Sequence, residues 1–577
     1  MLGPPLVPLY FSARIYTFVH NFSHEREESA SASLSNTLLT VQVCISNLFC
    51  VRTADDARRK EQCCYERKGT MKACESFMRI PELIGMFFMH CIPEEITDPS
   101  FTTAPLQLIL VCTSWKKIAE GMPDLWRRFR IDLSRLIDLS PEEACLGIEK
   151  CSVVLERFLR YSRERLLDVG MIHPCEDLSV PETSLQTLYS TFYAQQDRWS
   201  NATLHLPYEM IGSLSSTTLK HLHMDLSSLW KYGRLFDVTP LLDDCPSLED
   251  LVVIGPHIEE EYEQVTDPAL LSLCCPPSLQ TLEIRSSYIY IDSYEDFLGE
   301  LKNWGTANVW KLVFVDVEIF GEVFLENFHL LFPSLTRLEI LHPHDFGAFE
   351  IWQPLPHPIR VQELQHLRLL LHYWHLLSAF RTPNLSSLDL EEGYFDALDD
   401  EQDDRLTYSR CNPKSATRLD SNLLTTFIKR NRIKLEVFHL SIMRFNEREL
   451  IECLSCMPHL EELCVEFQCE EAVADQLLPA LSERSRTQSA IESNGFTFVD
   501  VCILCPVLTV FTLTVDSTDC DVSKGAVVGL IKSRQVLSED GKHRVAAWRQ
   551  LALPSTEESL KFLKERLSAD FLSSTLA

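Results

Sequence analysis

Phe332-Pro333-Ser334-Leu335-Thr336-Arg337-Leu338-Glu339-Ile340 is the stretch whose reading decides the fold. From Leu335 it runs apolar, two variable residues, apolar, one variable residue, apolar. The same pattern precedes it as Trp199/Ala202/Leu204, Leu219/Leu222/Met224, Leu248/Leu251/Val253, Leu279/Leu282/Ile284 and Val309/Leu312/Phe314. It follows as Leu364/Leu367/Leu369, Leu385/Leu388/Leu390, Leu435/Phe438/Leu440, Leu460/Leu463/Val465, Leu508/Phe511/Leu513 and Trp548/Leu551/Leu553. Most successive first anchors lie 20 to 31 residues apart. A fixed unit of that length is too small to bury its own apolar side chains, so it implies stacked repeats.

The residues before each pattern support the register. Cys245-Pro246, Phe332-Pro333 and Cys505-Pro506 stand at one offset from the first leucine, with Cys275-Pro276-Pro277 and Cys456-Met457-Pro458 one residue longer. Proline there stops a preceding helix. Separate α/β domains with ordinary amphipathic strands would not produce that recurring offset. The wider gaps, 385 to 435 and 460 to 508, hold either an insertion or a degenerate unit. Side chains alternate along a strand, so the variable positions face away from the core. Thr336, Arg337, Glu339, Ser386, Ser387 and Asp389 are therefore candidate substrate-binding residues.

A second informative stretch is Ile80 to Trp126. Pro81 and Glu82 mark a helix start, and Leu83, Ile84, Phe87, Phe88 and Cys91 share one face. A second helix opens at Thr103-Ala104-Pro105. A third takes Thr113 or Ser114 as cap and ends at Gly121 and Pro123. About 45 residues cannot bury so much apolar surface alone, so part of it is expected to face a partner.

The motifs Pro81-Glu82-Leu83-Ile84, Phe88-Met89-His90-Cys91, Ala104-Pro105-Leu106, Val111-Cys112, Trp115, Ile118-Ala119 and Pro123-Asp124-Leu125-Trp126 resemble, in order and spacing, an F-box of the fungal, basidiomycete type. The family's Leu-Pro opening stands here as Arg79-Ile80. The irregular repeats resemble the divergent leucine-rich repeats that follow such F-boxes. The resemblance implies a substrate-receptor subunit of a Skp–cullin–F-box ubiquitin ligase. The Skp adaptor, and through it a cullin–RING ligase, would be the partners, and the repeats would hold a protein substrate. Pro81, Leu83, Ile84, Leu108, Val111, Trp115, Ile118 and Leu125 occupy the positions that build or present the adaptor surface. A repeat scaffold that does not dock on the ligase is the alternative the altered opening leaves open.

The expected fold is α/β: a small three-helix unit followed by an irregular leucine-rich-repeat solenoid, with separate cores. The expected domains are a poorly ordered arm over 1–78, the F-box-like unit over 79–130, a connecting strand and helix over 131–165, and the solenoid over 166–577. Ser140-Pro141-Glu142-Glu143 combines an N-cap, an N1 proline and a capping-box glutamate, and Ser555-Thr556-Glu557-Glu558 opens a capping helix at the far end.

The net charge of −30, from 53 basic and 83 acidic residues, argues against nucleic acid or anionic membrane as the main partner. Glu391–Asp404 carries eight carboxylates with no lysine or arginine among them, the mark of a solvated loop. The 21 cysteines are scattered, which suggests reduced thiols and a place in the cytoplasm, the nucleus or both. No apolar run reaches the roughly 18 residues of a membrane span. Cys453-x-x-Cys456 and Cys502-x-x-Cys505 are spaced too widely for a zinc ribbon, and His372 and His375 have no third ligand. No nucleophile elbow, P-loop or dinucleotide-binding glycine pattern occurs, so neither a cofactor, a metal nor catalysis is expected.

Overall fold

The computed structural model describes residues 81–92, 104–173, 180, 182–205, 214–226, 244–255, 276–290, 308–320, 328–341, 359–370, 376–391, 421–442, 447–467, 476–491, 495–502, 504–515, 524–533 and 550–552. They fall into two compact units, the first running to Leu248 and the second starting at Glu249. The expectations for residues 1–78, Arg79-Ile80, His372–His375, most of the acidic run and the 555–571 helix lie outside the described residues.

The first unit opens with helices α1 (Pro81–Cys91), α2 (Leu108–Val111) and α3 (Thr113–Glu120) and a 3₁₀ turn at Pro123–Trp126. Strand β1 (Arg128–Asp132), helix α4 (Pro141–Ser162), β2 (Leu167–Ile172), helix α5 (Glu182–Tyr193), β3 (Trp199–His205) and β4 (His221–Asp225) follow. The four strands pair in parallel in sequence order. Helix α4 begins at the predicted capping box, with Ser140 and Glu143 bonded reciprocally. Its Ile148, Leu155 and Phe158 are buried, as the helical spacing requires.

Two expectations about this unit change. The cap of α3 is Cys112, not Thr113 or Ser114: its extended backbone separates α2 from α3, and its sulfur accepts a hydrogen bond from Trp115 N at 3.4 Å. The helices and the first strands also share one core. Trp126 Nε1 donates to Ala119 O at 2.7 Å. Its ring lies 5.2 Å from Phe158 and 4.9 Å from Tyr161. Phe129 continues the contact to Phe158 and Phe192, and Phe192 to Trp199. The strand expected to be a connector is the first of the parallel sheet.

The second unit contains a ten-stranded parallel sheet among the described residues. Its strands are β5 (Asp250–Ile254), β6 (Thr281–Tyr290), β7 (Lys311–Phe320), β8 (Arg337–Leu341), β10 (His366–Leu370), β12 (Ser387–Glu391), β13 (Val437–Ile442), β14 (Glu462–Phe467), β17 (Val510–Val515) and β18 (Gln550–Ala552). Short β9 (Ile359–Arg360) and β11 (Phe380–Arg381) pair separately in parallel. Helices α6 (Phe328–Leu331), α7 (Leu376–Ala379), α8 (Ser421–Asn431), α9 (Glu447–Leu454), α10 (Leu477–Ser482) and α11 (Lys524–Ser533) alternate with the strands.

The register aligns the anchors. Leu282, Leu312, Leu338, Leu367, Leu388, Phe438, Leu463 and Phe511 are successive cross-strand partners, and so are Ile284, Phe314, Ile340, Leu369, Leu390, Leu440, Val465 and Leu513. Every one of these is buried. A second ladder lies one residue after each first anchor, where the backbone N–H donates to the preceding unit: Trp310 to Gln280, Thr336 to Trp310, Gln365 to Thr336 and Ser386 to Gln365, at 2.8–3.0 Å. The geometry is that of a repeat solenoid, with a parallel sheet on one side and helices between strands.

The two wide gaps are insertions. Strand β12 pairs directly with β13, and β14 directly with β17, so neither gap contributes a strand to the sheet. The second gap instead carries an antiparallel hairpin of β15 (Arg484–Ile491) and β16 (Gly495–Cys502). Leu338 is 1% exposed and its strand is held on both sides. Leu338→Ala is expected to lower stability by roughly 2–5 kcal/mol in urea unfolding.

Candidate functional site

Two surfaces can engage a partner, one in each unit. In the first unit, Ile84, Phe87 and Phe88 on α1 bury against Trp115, whose ring meets Phe87 at 5.8 Å and Phe88 at 5.0 Å, edge to face. Gly85 allows this packing, because a Cβ there would sit 3.1 Å from the Met122 side chain. Leu106, Leu108, Ile109 and Ala119 complete the core. Part of what remains outside, among exposed polar residues such as Glu82 and Lys116, is apolar as well: Met86 is 45% exposed, Met89 40%, Leu110 62% and Val111 41%.

The residues expected to meet an adaptor therefore divide. Pro81 and Val111 are exposed and Ile118 is half-buried. Ile84, Leu108, Trp115 and Leu125 are core residues that shape the surface from beneath. The Leu83 side chain is outside the described residues. The sequence reading missed Met86, Met89 and Leu110. The helical spacing contained the signal, since Met86 and Met89 lie opposite the Phe87/Phe88 face.

In the second unit, the candidate surface is the sheet side opposite the anchors. Cross-strand register forms a row of Glu339, Arg368, Asp389, His439 and Cys464 on successive strands. Glu339 is only 6% exposed, and its carboxylate is held by Arg337 at 2.7 Å and by Lys311 and Arg368 at 3.8 Å. Arg368 also reaches Asp389 at 3.5 Å and Glu391 at 2.5 Å. His439 lies 4.0 Å from Asp389 and 3.3 Å from Glu462.

Of the six expected substrate contacts, Arg337, Glu339, Ser387 and Asp389 lie on this side. The hydroxyls of Thr336 and Ser386 instead donate to the Trp310 and Gln365 carbonyls, so they serve the ladder. Glu339 and Asp389 are joined through Arg368, which the sequence reading did not name although it holds the same repeat offset. Glu391, the first residue of the acidic run, is paired after all: it stands two residues beyond Asp389, the cross-strand partner of Arg368, and the Arg368 guanidinium reaches it diagonally.

Asp389, His439 and Cys464 form an in-register carboxylate, imidazole and thiol. A nucleophilic thiol needs a lowered pKa. Burial, with Glu466, Asp389 and Glu462 nearby, pushes the Cys464 thiol up instead. The imidazole's Nε2 faces Glu462. Burial likewise pushes the Cys453 thiol up to about 11. Among the described residues, no group of three His, Cys, Asp or Glu side chains is arranged to hold a metal ion.

No protein-family model and no curated protein matches the chain. Among solved structures, similarity extends to a chain of a TLR13–ssRNA13 complex. It has 12% identity over 62% of this chain and a TM-score of 0.26. The match spans 57% of that chain, and at this score the likeness carries no argument.

Burial holds the Asp389 carboxyl above the ordinary aspartate range despite Arg368 and His439 beside it. A carboxyl raised in the folded state contributes stability that is complete below its unfolded value and is lost as pH rises through its folded value. Asp389→Asn cannot ionise and should escape that loss. Its stability relative to the parent is expected to rise as pH climbs from below the ordinary aspartate range through the raised folded value in urea titrations; a difference that stays flat or falls contradicts the assignment.

Proposed function

We propose that the chain is a substrate receptor of a Skp–cullin–F-box ubiquitin ligase. The helices at 81–126 would dock on the Skp adaptor, and the polar side of the repeat sheet would hold a protein substrate. The observation that carries this reading is the apolar remainder on α1 and α2. Met86, Met89, Leu110 and Val111 stay exposed after Trp115 and the phenylalanines have filled the core. The same helices bear the F-box-like motif series. An ordinary interface, about 800 Å² per partner, would cover such residues.

In this role the chain supplies two binding surfaces and leaves ubiquitin transfer to other subunits. The substrate side carries fixed charges at regular spacing, about 4.8 Å from strand to strand. It therefore favours an extended or strand-like element of complementary charge. The alternative, a repeat scaffold that does not dock on the ligase, keeps the second surface and loses the first.

Co-purification of the full-length chain with a purified Skp adaptor tests the reading. Leu110→Asp is expected to weaken binding by about 2 kcal/mol or more, roughly 30-fold, without changing the unfolding midpoint. Trp115→Ala should lower both binding and stability, because its ring is core. A folded parent chain that fails to bind at micromolar adaptor sinks the receptor reading in favour of the scaffold.

A captured substrate supplies a second test. Its affinity should fall as salt rises from low to physiological strength, where the Debye length is about 8–10 Å. Salt-independent affinity would remove charge from the account of recognition.

A further inference from the structure

We infer that Met86 and Met89 are a paired oxidation site whose conversion to sulfoxides releases the adaptor; this rests on the receptor reading above. Helix α1 has apolar side chains on two sides. Ile84, Phe87 and Phe88 point to the Trp115 core, and the two methionines project about 180° away around the helix. At spacing i, i+3 they are neighbours on one stripe. The second apolar stripe is short and lies beside the exposed Glu82 and His90, as at the edge of a contact surface.

Burial makes the site selective. Met86 and Met89 are exposed, whereas Met171, Met224 and Met457 are 0–2% exposed and Met122 is half-buried against Gly85. Among the methionines of the described residues, a hydroperoxide can approach only the first pair freely. The thioether sulfur attacks the terminal peroxide oxygen, the O–O bond breaks, and an S–O bond forms. The sulfur is oxidised by two electrons, and the peroxide is reduced to water or an alcohol.

The product is a polar, chiral side chain where a flexible apolar one had been, and reductases can restore the thioether. Thioethers suit a contact surface because they adapt to its shape, and sulfoxides do not. Two sulfoxides on one stripe would oppose docking without disturbing the Phe87/Phe88/Trp115 core on the other side.

The test uses the full-length chain, hydrogen peroxide and purified Skp adaptor. Peptide mass spectrometry should show sulfoxide at positions 86 and 89 before 171, 224 and 457. Affinity should fall at least about tenfold, the scale of a lost apolar contact. Cys112 is exposed nearby, so a thiol reductant is added after the peroxide. It should not restore binding, whereas methionine sulfoxide reductase should.

The double variant Met86→Leu/Met89→Leu, compared with its own affinity before treatment, should lose none of its binding after peroxide. Unchanged affinity of the doubly oxidised parent overturns the proposal, as does recovery with thiol reductant or equal loss in the leucine variant. Adaptor binding that is absent before peroxide is added overturns the receptor reading and the release step with it. The order of oxidation then still decides whether the pair is a selective site.

Discussion

No repeat of this chain can bury its own anchors. Three apolar residues on a strand of about five leave one side of each unit open, and only the next unit can close it. Parallel pairing answers this by placing Leu312 against Leu338 and Leu338 against Leu367, so that each strand is core for its neighbours. A slip of one residue would turn every anchor outward and expose the whole row. Register is thus fixed by burial along the full length of the second unit's sheet. The backbone ladder from Glu249 through Thr336 to Thr509 continues the alignment one residue ahead of the strands.

The same constraint explains which irregularities the chain tolerates. An insertion is harmless if it leaves the sheet on its outer connections, because the entropic cost of a longer loop grows slowly. The 392–420 segment lies between β12 and α8, yet β12 and β13 remain partners. The return is fixed by side chains: Arg430 donates to the Leu377, Ser378 and Phe380 carbonyls, and Asn431 accepts from Thr382 N at 3.1 Å. In a similar way Glu447 accepts from the backbone N–H groups of Gln476 and Leu477 at the start of α10. These polar clamps hold helices between repeats where length varies most.

Much of the repeat architecture was legible because it follows from a two-residue period and a recurring proline offset. Every anchor whose side chain is described is buried, from Trp199 to Leu513. What escaped the sequence depends on contacts between distant positions. Trp126 reads as the end of a helical motif, but its ring binds α3 to α4 through Phe158 and Tyr161. Cys112 offers no strong capping signal by residue type, yet its extended backbone and sulfur start α3. Arg368 could have been placed by its repeat offset, whereas its bond to Glu391 needed the register of two adjacent strands. Thr336 and Ser386 were read as face residues, but their hydroxyls lie close enough to a neighbouring carbonyl to join the ladder.

A core residue and a contact residue make opposite demands on one helix. Trp115 fills the space between α1 and α3 and is 4% exposed, so its role in any docking is to fix the shape of the surface above it. Leu110 and Val111 follow directly after the buried Leu108 and Ile109, and α2 ends there at an extended Cys112. That abrupt end leaves two apolar side chains exposed on a short step. The aromatic series from Trp126 through Phe158 and Phe129 to Phe192 then ties this step to β1–β4. A partner seated on α1 and α2 would therefore be positioned against the first four strands by packing, not by a linker.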